Sequence, residues 1–175
     1  MKKHTVLLAA MALLTACGLS APSSAQADPW AGLRFLLGSW EAKTNGGMAQ
    51  AQVSAVYAFR LELRDHVMAR TPSGGNCKGP EDFDCQHDDL LYIYPAGNGQ
   101  TFQAIYFDNE GHVIHYDVST PKAGKVVFLS DPAQPGPQFR LSYELANGVM
   151  TGKFQLRMPG QTEFSSYLEW SGKRH

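Results

Sequence analysis

The sequence lacks the features by which an activity is most readily identified. Lys and Arg number 15 against 16 Asp and Glu, a formal net charge of −1, so no charge excess points to a nucleic acid or a polycation as partner. There is no G-x-S-x-G or H-E-x-x-H motif, and no P-loop or G-x-G-x-x-G. A catalytic site would therefore have to be assembled from dispersed residues.

No apolar run reaches the roughly 20 residues that a membrane-spanning helix needs. Val6–Ala16 is uncharged, mostly apolar and preceded by Lys2 and Lys3, which is the pattern of a signal peptide. We therefore predict that residues 1–27 are a signal segment and linker. Residues 28–175 then form a single domain, because a chain of this length suits one domain.

Two processing sites compete within the signal segment. Leu14–Gly18 (LTACG) looks like a bacterial lipobox, in which Cys17 would be lipidated and become the new N-terminus. Ala25–Ala27, before Asp28, is an A-x-A cleavage site. We favour the lipobox because Cys17 ends the apolar run. Either route predicts an exported protein, periplasmic or anchored in the cell envelope by its lipid.

Cysteine is scarce, with three in the whole chain. Apart from Cys17, the two that remain are Cys77 and Cys85, in a Gly-rich stretch from Thr71 to His87 that predicts a loop. Disulfides persist in the oxidising compartment that export implies, so we predict a Cys77–Cys85 bond. Free thiols remain an alternative. So does a metal site, although His87 would supply only a third ligand where zinc usually needs four.

Helical periodicity is missing as well, except for a single turn at residues 30–36. Apolar and polar residues instead alternate, as in Phe139, Leu141 and Tyr143 against Arg140, which is typical of antiparallel strands with one buried face. The alternation and the intervening turn residues predict ten strands, at about 39–44, 49–60, 66–71, 89–95, 100–107, 112–119, 125–130, 138–145, 149–158 and 163–171.

The turns between these strands are short. Asn45–Gly46, Asn98–Gly99 and Asn147–Gly148 can each supply the positive φ of a tight hairpin, and Asp108–Gly111 predicts a turn that ends in a left-handed glycine. Ten consecutive hairpin-linked strands would leave two exposed edges unless the sheet closes. We therefore predict an all-β, ten-stranded antiparallel up-and-down β-barrel, with a sandwich as the alternative.

The segment Phe35–Trp40 (FLLGSW) resembles the G-x-W opening of the lipocalin and fatty-acid-binding-protein (calycin) superfamily. The resemblance implies that Gly38 and Trp40 lie at the closed end of the barrel, under a basic residue from the last strand. Arg174 matches that residue, and Lys173 is the alternative. Only residues 45–48 separate the first two predicted strands, which leaves no room for the helical lid of fatty-acid-binding proteins.

Three further segments look like a bacterial family of uncharacterised, exported lipocalin-like barrels. They are His87–Tyr94 (HDDLLYIY), Tyr106–Ile114 (YFDNEGHVI) and the ending around Tyr167–Trp170 (YLEW). This resemblance implies the fold and brings no assigned chemistry.

Several polar residues are candidates for a site. His112 shares the predicted interior face of its strand with Ile114, Tyr116 and Val118, whereas His115 lies on the other face, so the two cannot chelate one ion. We interpret His112 as a hydrogen-bonded barrel or strand-end residue rather than a ligand contact.

The other polar candidates have structural explanations as well. His87 and Asp89 could line the mouth of the barrel, but a solvated strand start explains them. The tight turn explains Asp108 to Glu110 without catalysis. Arg140 and Tyr143 fall on opposite faces, and Arg140 is expected to face solvent.

The sequence therefore predicts a barrel that binds a small hydrophobic molecule, with no catalytic residue and no metal. The predicted cavity residues are Tyr106, His112, Tyr116, Tyr143, Phe154 and Phe164. Three alternatives stay open: a haem-binding barrel with His112 as axial ligand, a barrel enzyme of the isomerase, cyclase or hydrolase type, and a structural envelope lipoprotein with a filled interior. No nucleic-acid partner is expected, membrane contact is expected only through the lipid at Cys17, and the oligomeric state is left open.

Overall fold

The computed structural model describes residues 28–97, 99 and 101–175. The predicted signal segment, with Cys17 and both processing sites, lies outside the described residues, as does Asn98 of the predicted Asn98–Gly99 turn. A short 3-10 turn at Arg34–Leu36 precedes the strands. The strands are β1 (Gly38–Gly46), β2 (Gln52–Glu62), β3 (Val67–Lys78), β4 (Asp89–Ala96), β5 (Thr101–Asp108), β6 (Val113–Lys122), β7 (Lys125–Ser130), β8 (Gln138–Ala146), β9 (Val149–Arg157) and β10 (Ser165–Arg174).

The ten strands form one closed antiparallel barrel. Each strand pairs with its neighbours in sequence, and β1 also pairs with β10, from Trp40 opposite Arg174 to Thr44 opposite Trp170. This confirms the predicted up-and-down barrel, and closure removes the edges that a sandwich would leave. No helix in the described ranges is long and apolar enough to cross a membrane.

The hairpin predictions at Asn147–Gly148 and Asn45–Gly46 differ in outcome. Asn147 and Gly148 have φ values of 52° and 76°, the positive pair that a tight hairpin requires, and they join β8 to β9 as predicted. The prediction at Asn45–Gly46 was wrong, because β1 continues through Gly46. The chain reverses after it, with Gly47 at φ 110° and Gln50 at φ 52°.

The predicted loop that begins at Thr71 is a strand for half its length. β3 extends to Lys78 and pairs with β2 as far as Gln52. Of the glycines that indicated a loop, Gly75 serves a close approach instead, because a Cβ there would lie 2.5 Å from the carbonyl oxygen of Ser54. Only residues 79–88 form the connection to β4.

One end of the barrel is closed by the segment that precedes β1. Trp30, Leu33, Leu36 and Trp40 have at most 1% of their surfaces exposed. Their polar groups are satisfied: the Trp40 indole donates to the Leu36 carbonyl at 2.7 Å, and the Trp30 indole donates to the Asp65 carbonyl at 2.8 Å. The closed end is therefore packed and hydrogen-bonded at the same time.

Arg174 lies over this closed end, as the resemblance implied. Its guanidinium carbon is 4.7 Å from the centre of the Trp40 ring, and its Nη1 donates to the Leu37 carbonyl at 2.6 Å. Gly38 has φ 112°, and a Cβ there would collide with that same Nη1. Gly38, Trp40 and Arg174 are thus in mutual contact and join the start of β1 to the end of β10.

Candidate ligand cavity

The interior opens at the opposite end of the barrel into a cavity of about 470 Å³. This volume lies within the range of small-molecule sites. Tyr106, Tyr116, Tyr143 and Phe154 line it, as predicted, and most of the remaining wall is apolar. Phe139 and Phe154 stack with their centres 5.7 Å apart and form one aromatic side of the cavity.

The missing side chain of Gly152 shapes the cavity wall. Gly152 occupies an inward position of β9, opposite Trp170 of β10, and a Cβ at this position would collide with the Trp170 indole. The indole lies in the space that a side chain at 152 would occupy, with its ring 5.7 Å from that of Tyr143. A glycine at an apolar position of an alternating strand was the available sequence signal for such a close approach.

Phe164 does not line the cavity, and its prediction as a cavity residue was wrong. Its ring lies outside the barrel, 4.1 Å from the guanidinium carbon of Arg140 and 4.9 Å from that of Arg157. β10 begins only at Ser165 and carries an irregularity at Ser166–Leu168, so period-two counting from Trp170 back to Phe164 fails. Arg140 is on the outer face, as expected, but Phe164 and Gln155 partly cover it.

A buried ion pair lies in the cavity wall. The Nη2 atom of Arg70, on β3, lies 2.7 and 2.9 Å from the two carboxylate oxygens of Asp89, on β4, and both side chains are 14% exposed. Arg70 also lies 5.7 Å over the Tyr57 ring. The pair places a charge-balanced polar group inside an apolar wall, and the Arg70 Nε has no partner among the described residues.

Sequence reasoning did not single out Arg70, and it interpreted Asp89 as solvated. That interpretation of Asp89 was wrong, because period two places Asp89 on the same face as the buried Leu91 and Ile93. The same count places Arg70 on the face of Met68. The alternation therefore already placed both Asp89 and Arg70 on the inward faces of their strands.

Three tyrosine hydroxyls in the cavity wall stand out. The hydroxyls of Tyr57, Tyr116 and Tyr143 are buried and have no hydrogen-bond partner in the described part of the chain. Buried polar atoms are nearly always paired, because an unpaired one costs about 1–3 kcal/mol. These tyrosines line the cavity, so the polar group of a ligand bound against this wall would supply the missing partner.

Burial also sets the protonation state of these phenols. It raises the pKa of Tyr116 and of Tyr143 well above the ordinary 10.0, and that of Tyr57 in the same direction. The pKa of Tyr106 is raised as well, by burial first and by the negative charge of Asp89 second. All four phenols are therefore neutral near pH 7 and can donate hydrogen bonds.

A chain of titratable side chains lies at the mouth of the cavity. His87 Nδ1 is 2.8 Å from Glu110 Oε1, and His87 Nε2 is 2.9 Å from the Tyr106 hydroxyl. His87 and Glu110 are partly exposed, with 35% and 42% of their side-chain surfaces accessible. The interpretation of His87 as a solvated strand start was therefore incomplete. His87 connects the cavity-lining Tyr106 to Glu110 at the solvent-facing rim.

The turn Asp108–Gly111 holds this arrangement in place. It is a turn as predicted, with Gly111 at φ 90°. Asn109 fastens it to the chain before β4: its N–H donates to the Asp88 carbonyl at 3.0 Å, and its amide donates to the Gln86 carbonyl at 3.0 Å. Glu110 and His87 are thereby brought side by side.

His112 lines the cavity, as predicted, but at its rim and not deep inside the barrel. It precedes β6, its side chain is 60% exposed, and its Nδ1 is 2.8 Å from Asp108 Oδ2. Although burial raises it, hydrogen bonds from His112 and Glu110 bring the pKa of Asp108 below its ordinary value. His112 is thus the hydrogen-bonded strand-end residue that we expected, and its rim position does not favour the haem alternative.

The mouth is partly covered by the connection between β3 and β4. The predicted disulfide is present, with Cys77 at the end of β3 bonded to Cys85 across a separation of 8 residues. Phe83 and Asp84, inside the closed loop, line the mouth. The bond excludes the two sulfurs as zinc ligands. Among the described residues, no group of three or more His, Cys, Asp or Glu has an arrangement that could hold a metal ion.

The comparisons with known proteins add no family to this description. No family model matches the chain, and no curated protein matches it.

Proposed function

We propose that this barrel is an exported binding protein for a small, mostly apolar molecule that carries one polar group. The observation that carries the proposal is the cavity of about 470 Å³, whose aromatic wall contains the unpaired, buried hydroxyls of Tyr116 and Tyr143. Aromatic rings supply the contact area, and the hydroxyls with Arg70 Nε orient the polar group. A filled structural barrel would have no reason to leave these atoms unpaired.

Several sequence expectations belong to the same proposal. The G-x-W opening, with Trp40 under Arg174, supports membership of the lipocalin-like superfamily. The disulfide supports export, because such bonds persist outside the cytoplasm. Membrane contact would come only from a lipid on Cys17, and mass spectrometry of the mature N-terminus separates lipidated Cys17 from a chain that begins at Asp28.

The binding proposal is tested with a fluorescent apolar probe, N-phenyl-1-naphthylamine, titrated into the mature protein. We expect saturable binding to one site. Phe154→Trp should weaken it, because the larger ring enters the cavity beside Phe139. Phe164→Trp is the matched control, since Phe164 lies outside the barrel, and it should leave the affinity unchanged.

Native mass spectrometry of protein from its own envelope, followed by organic extraction, should recover the natural ligand. If the wild type takes up no probe, or if both tryptophan variants weaken uptake equally, the binding proposal is wrong and a filled, structural barrel replaces it.

A further inference from the structure

We propose that Glu110, His87 and Tyr106 form a proton relay, and that it makes the barrel a general acid–base catalyst for a cavity-bound carbonyl compound with an acidic C–H bond. The proposal rests on the binding function above, because the substrate must first enter the cavity. Its basis is a continuous chain of two hydrogen bonds, of 2.8 and 2.9 Å, that runs from the partly exposed Glu110 through His87 to the cavity-lining Tyr106.

The direction of the relay follows from the chemistry of its members. An ionised carboxylate only accepts hydrogen bonds, so the contact with Glu110 places the His87 proton on Nδ1. His87 Nε2 is then an acceptor, and the Tyr106 hydroxyl donates to it. The lone pairs of the Tyr106 oxygen are left to face the cavity. This is the logic of a carboxylate-oriented histidine that activates a hydroxyl, with a phenol in place of serine.

Each member has a distinct task. Tyr106 is the catalytic residue, because its oxygen faces the bound molecule. His87 receives the Tyr106 proton, and Glu110 is a positioning residue that fixes the imidazole and stabilises its charged form. The three hydrogen bonds between Asn109 and the chain before β4 hold His87 and Glu110 in register.

The substrate class follows from the surroundings of Tyr106. Tyr106 on β5 and Tyr116 on β6 occupy neighbouring inward positions, since Tyr106 pairs with Ile114 and Ala104 pairs with Tyr116. Such diagonal neighbours lie about 7–8 Å apart at their Cα atoms, room for one small group between the side chains. The unpaired Tyr116 hydroxyl can donate to a carbonyl oxygen while Tyr106 takes a proton from the adjacent carbon. An enolisable ketone or a similar compound fits this pair.

The proton transfer through Tyr106 to His87 can be tested with 5-nitrobenzisoxazole as the probe. Its C3 proton moves to the Tyr106 oxygen while the Tyr106 proton moves to His87 Nε2. The N–O bond of the probe breaks, its electron pair stays on the departing oxygen, and coloured 2-cyano-4-nitrophenolate forms. His87 then returns its extra proton to water through its exposed edge.

Rate and binding of the probe are measured separately in the intact mature protein. Tyr106→Phe and His87→Gln should each lower the first-order rate of the bound probe by roughly 100-fold or more, the usual contribution of a general base. The double variant should be no slower than either single one. The probe's Kd should change by less than about threefold. His115→Gln, a histidine on the outer face of β6, is the matched control and should keep the wild-type rate.

Glu110→Gln tests the positioning role, because an amide can donate as well as accept and no longer fixes which nitrogen of His87 carries the proton. The first-order rate of the bound probe should fall while its Kd stays unchanged, and nitrogen-15 NMR should show that the Nδ1 proton of His87 is no longer favoured. An unchanged rate and an unchanged tautomer would overturn the place of Glu110 in the relay.

A measurement without any ligand tests the relay independently. Nitrogen-15 NMR of the ligand-free protein should show His87 protonated on Nδ1 and unprotonated on Nε2. The opposite tautomer would overturn the relay. So would a bound probe that reacts equally fast in the wild type and in Tyr106→Phe. If N-phenyl-1-naphthylamine binds and 5-nitrobenzisoxazole does not, the binding function stands and the catalytic proposal is wrong; if neither binds, both proposals are wrong.

Discussion

The two ends of the barrel use the same kinds of residue in opposite ways. At the closed end, Trp30 and Trp40 are buried and each indole N–H has a carbonyl partner. At the cavity, Tyr116 and Tyr143 are buried almost as deeply, but their hydroxyls have no partner in the described part of the protein. The closed end is complete by itself, whereas the cavity wall is complete only when something else supplies the missing hydrogen bonds.

This difference assigns stability mainly to the closed end and ligand binding to the cavity wall. Groups that are paired and packed stabilise the fold, so removing them should cost free energy. Groups that are buried and unpaired cost stability in the free protein, so removing them should raise it and impair binding instead. Removing the paired indoles of the closed end and removing the unpaired hydroxyls of the cavity wall should therefore change stability in opposite directions.

The largest effect is expected at the closed end. Trp40→Ala should lower the free energy of unfolding by about 3–5 kcal/mol, because it empties a fully packed site and removes the platform under Arg174. Urea melts of Trp40→Ala, Arg174→Ala and the double variant measure the contact directly. We expect a coupling of about 0.5–3 kcal/mol. Strictly additive losses would mean that the stacked geometry contributes nothing.

The disulfide at the open end should have the next largest effect. Replacing both Cys77 and Cys85 with Ala should cost about 2–3 kcal/mol, the contribution expected for a short closed loop. The loop that carries Phe83 would also become free to leave the mouth, so probe dissociation should accelerate. Reduced wild type should behave like the double variant. Faster dissociation without any loss of stability would mean that the bond serves only the mouth.

In the cavity wall, Tyr143→Phe should raise stability at pH 7 by about 1 kcal/mol, because it removes an unpaired buried hydroxyl. Probes with a polar group should bind it more weakly, and purely apolar probes should not. Urea melts measure the change in the free energy of unfolding, and probe titrations measure the change in affinity. A destabilised variant would show that the hydroxyl has a partner in the free protein, and would remove the main support for a polar ligand group.

The same substitution should change the alkaline limit of stability. Burial raises the folded-state pKa of Tyr143, so below pH 10 both states keep the proton and the contribution is constant. Above pH 10 the unfolded state loses its proton first, and stability falls as pH rises towards the folded pKa. Tyr143→Phe should therefore show a shallower loss of stability than wild type as pH rises above about 10.

The sequence predicted the architecture better than the site. Alternation indicates which face of a strand is buried, but it says little about which residues of other strands that face contacts. Asn147–Gly148 and the strands around it followed from local rules. Phe164 failed because an irregularity in β10 breaks the count. Arg70 and Asp89 were on the correct face in the pattern, but their pairing across two strands depends on register, which one sequence does not reveal. The contact of Glu110 with His87 likewise requires two turns to meet at the rim.

The smallest predicted effect concerns the turn that the closed end uses as a hydrogen-bond partner. Leu63, Arg64 and Asp65 all have positive φ, between 52° and 65°, and none is glycine, so no sequence signal marked this turn. The Asp65 carbonyl nevertheless receives the Trp30 indole hydrogen bond, so packing imposes the conformation. Arg64→Gly should relieve strain and raise the free energy of unfolding by about 0.5–1 kcal/mol. Arg60→Gly, inside β2, is the opposite control and should destabilise. If Arg64→Gly also destabilises, the greater entropy of its unfolded chain outweighs the strain, and the left-handed turn is less costly than its geometry suggests.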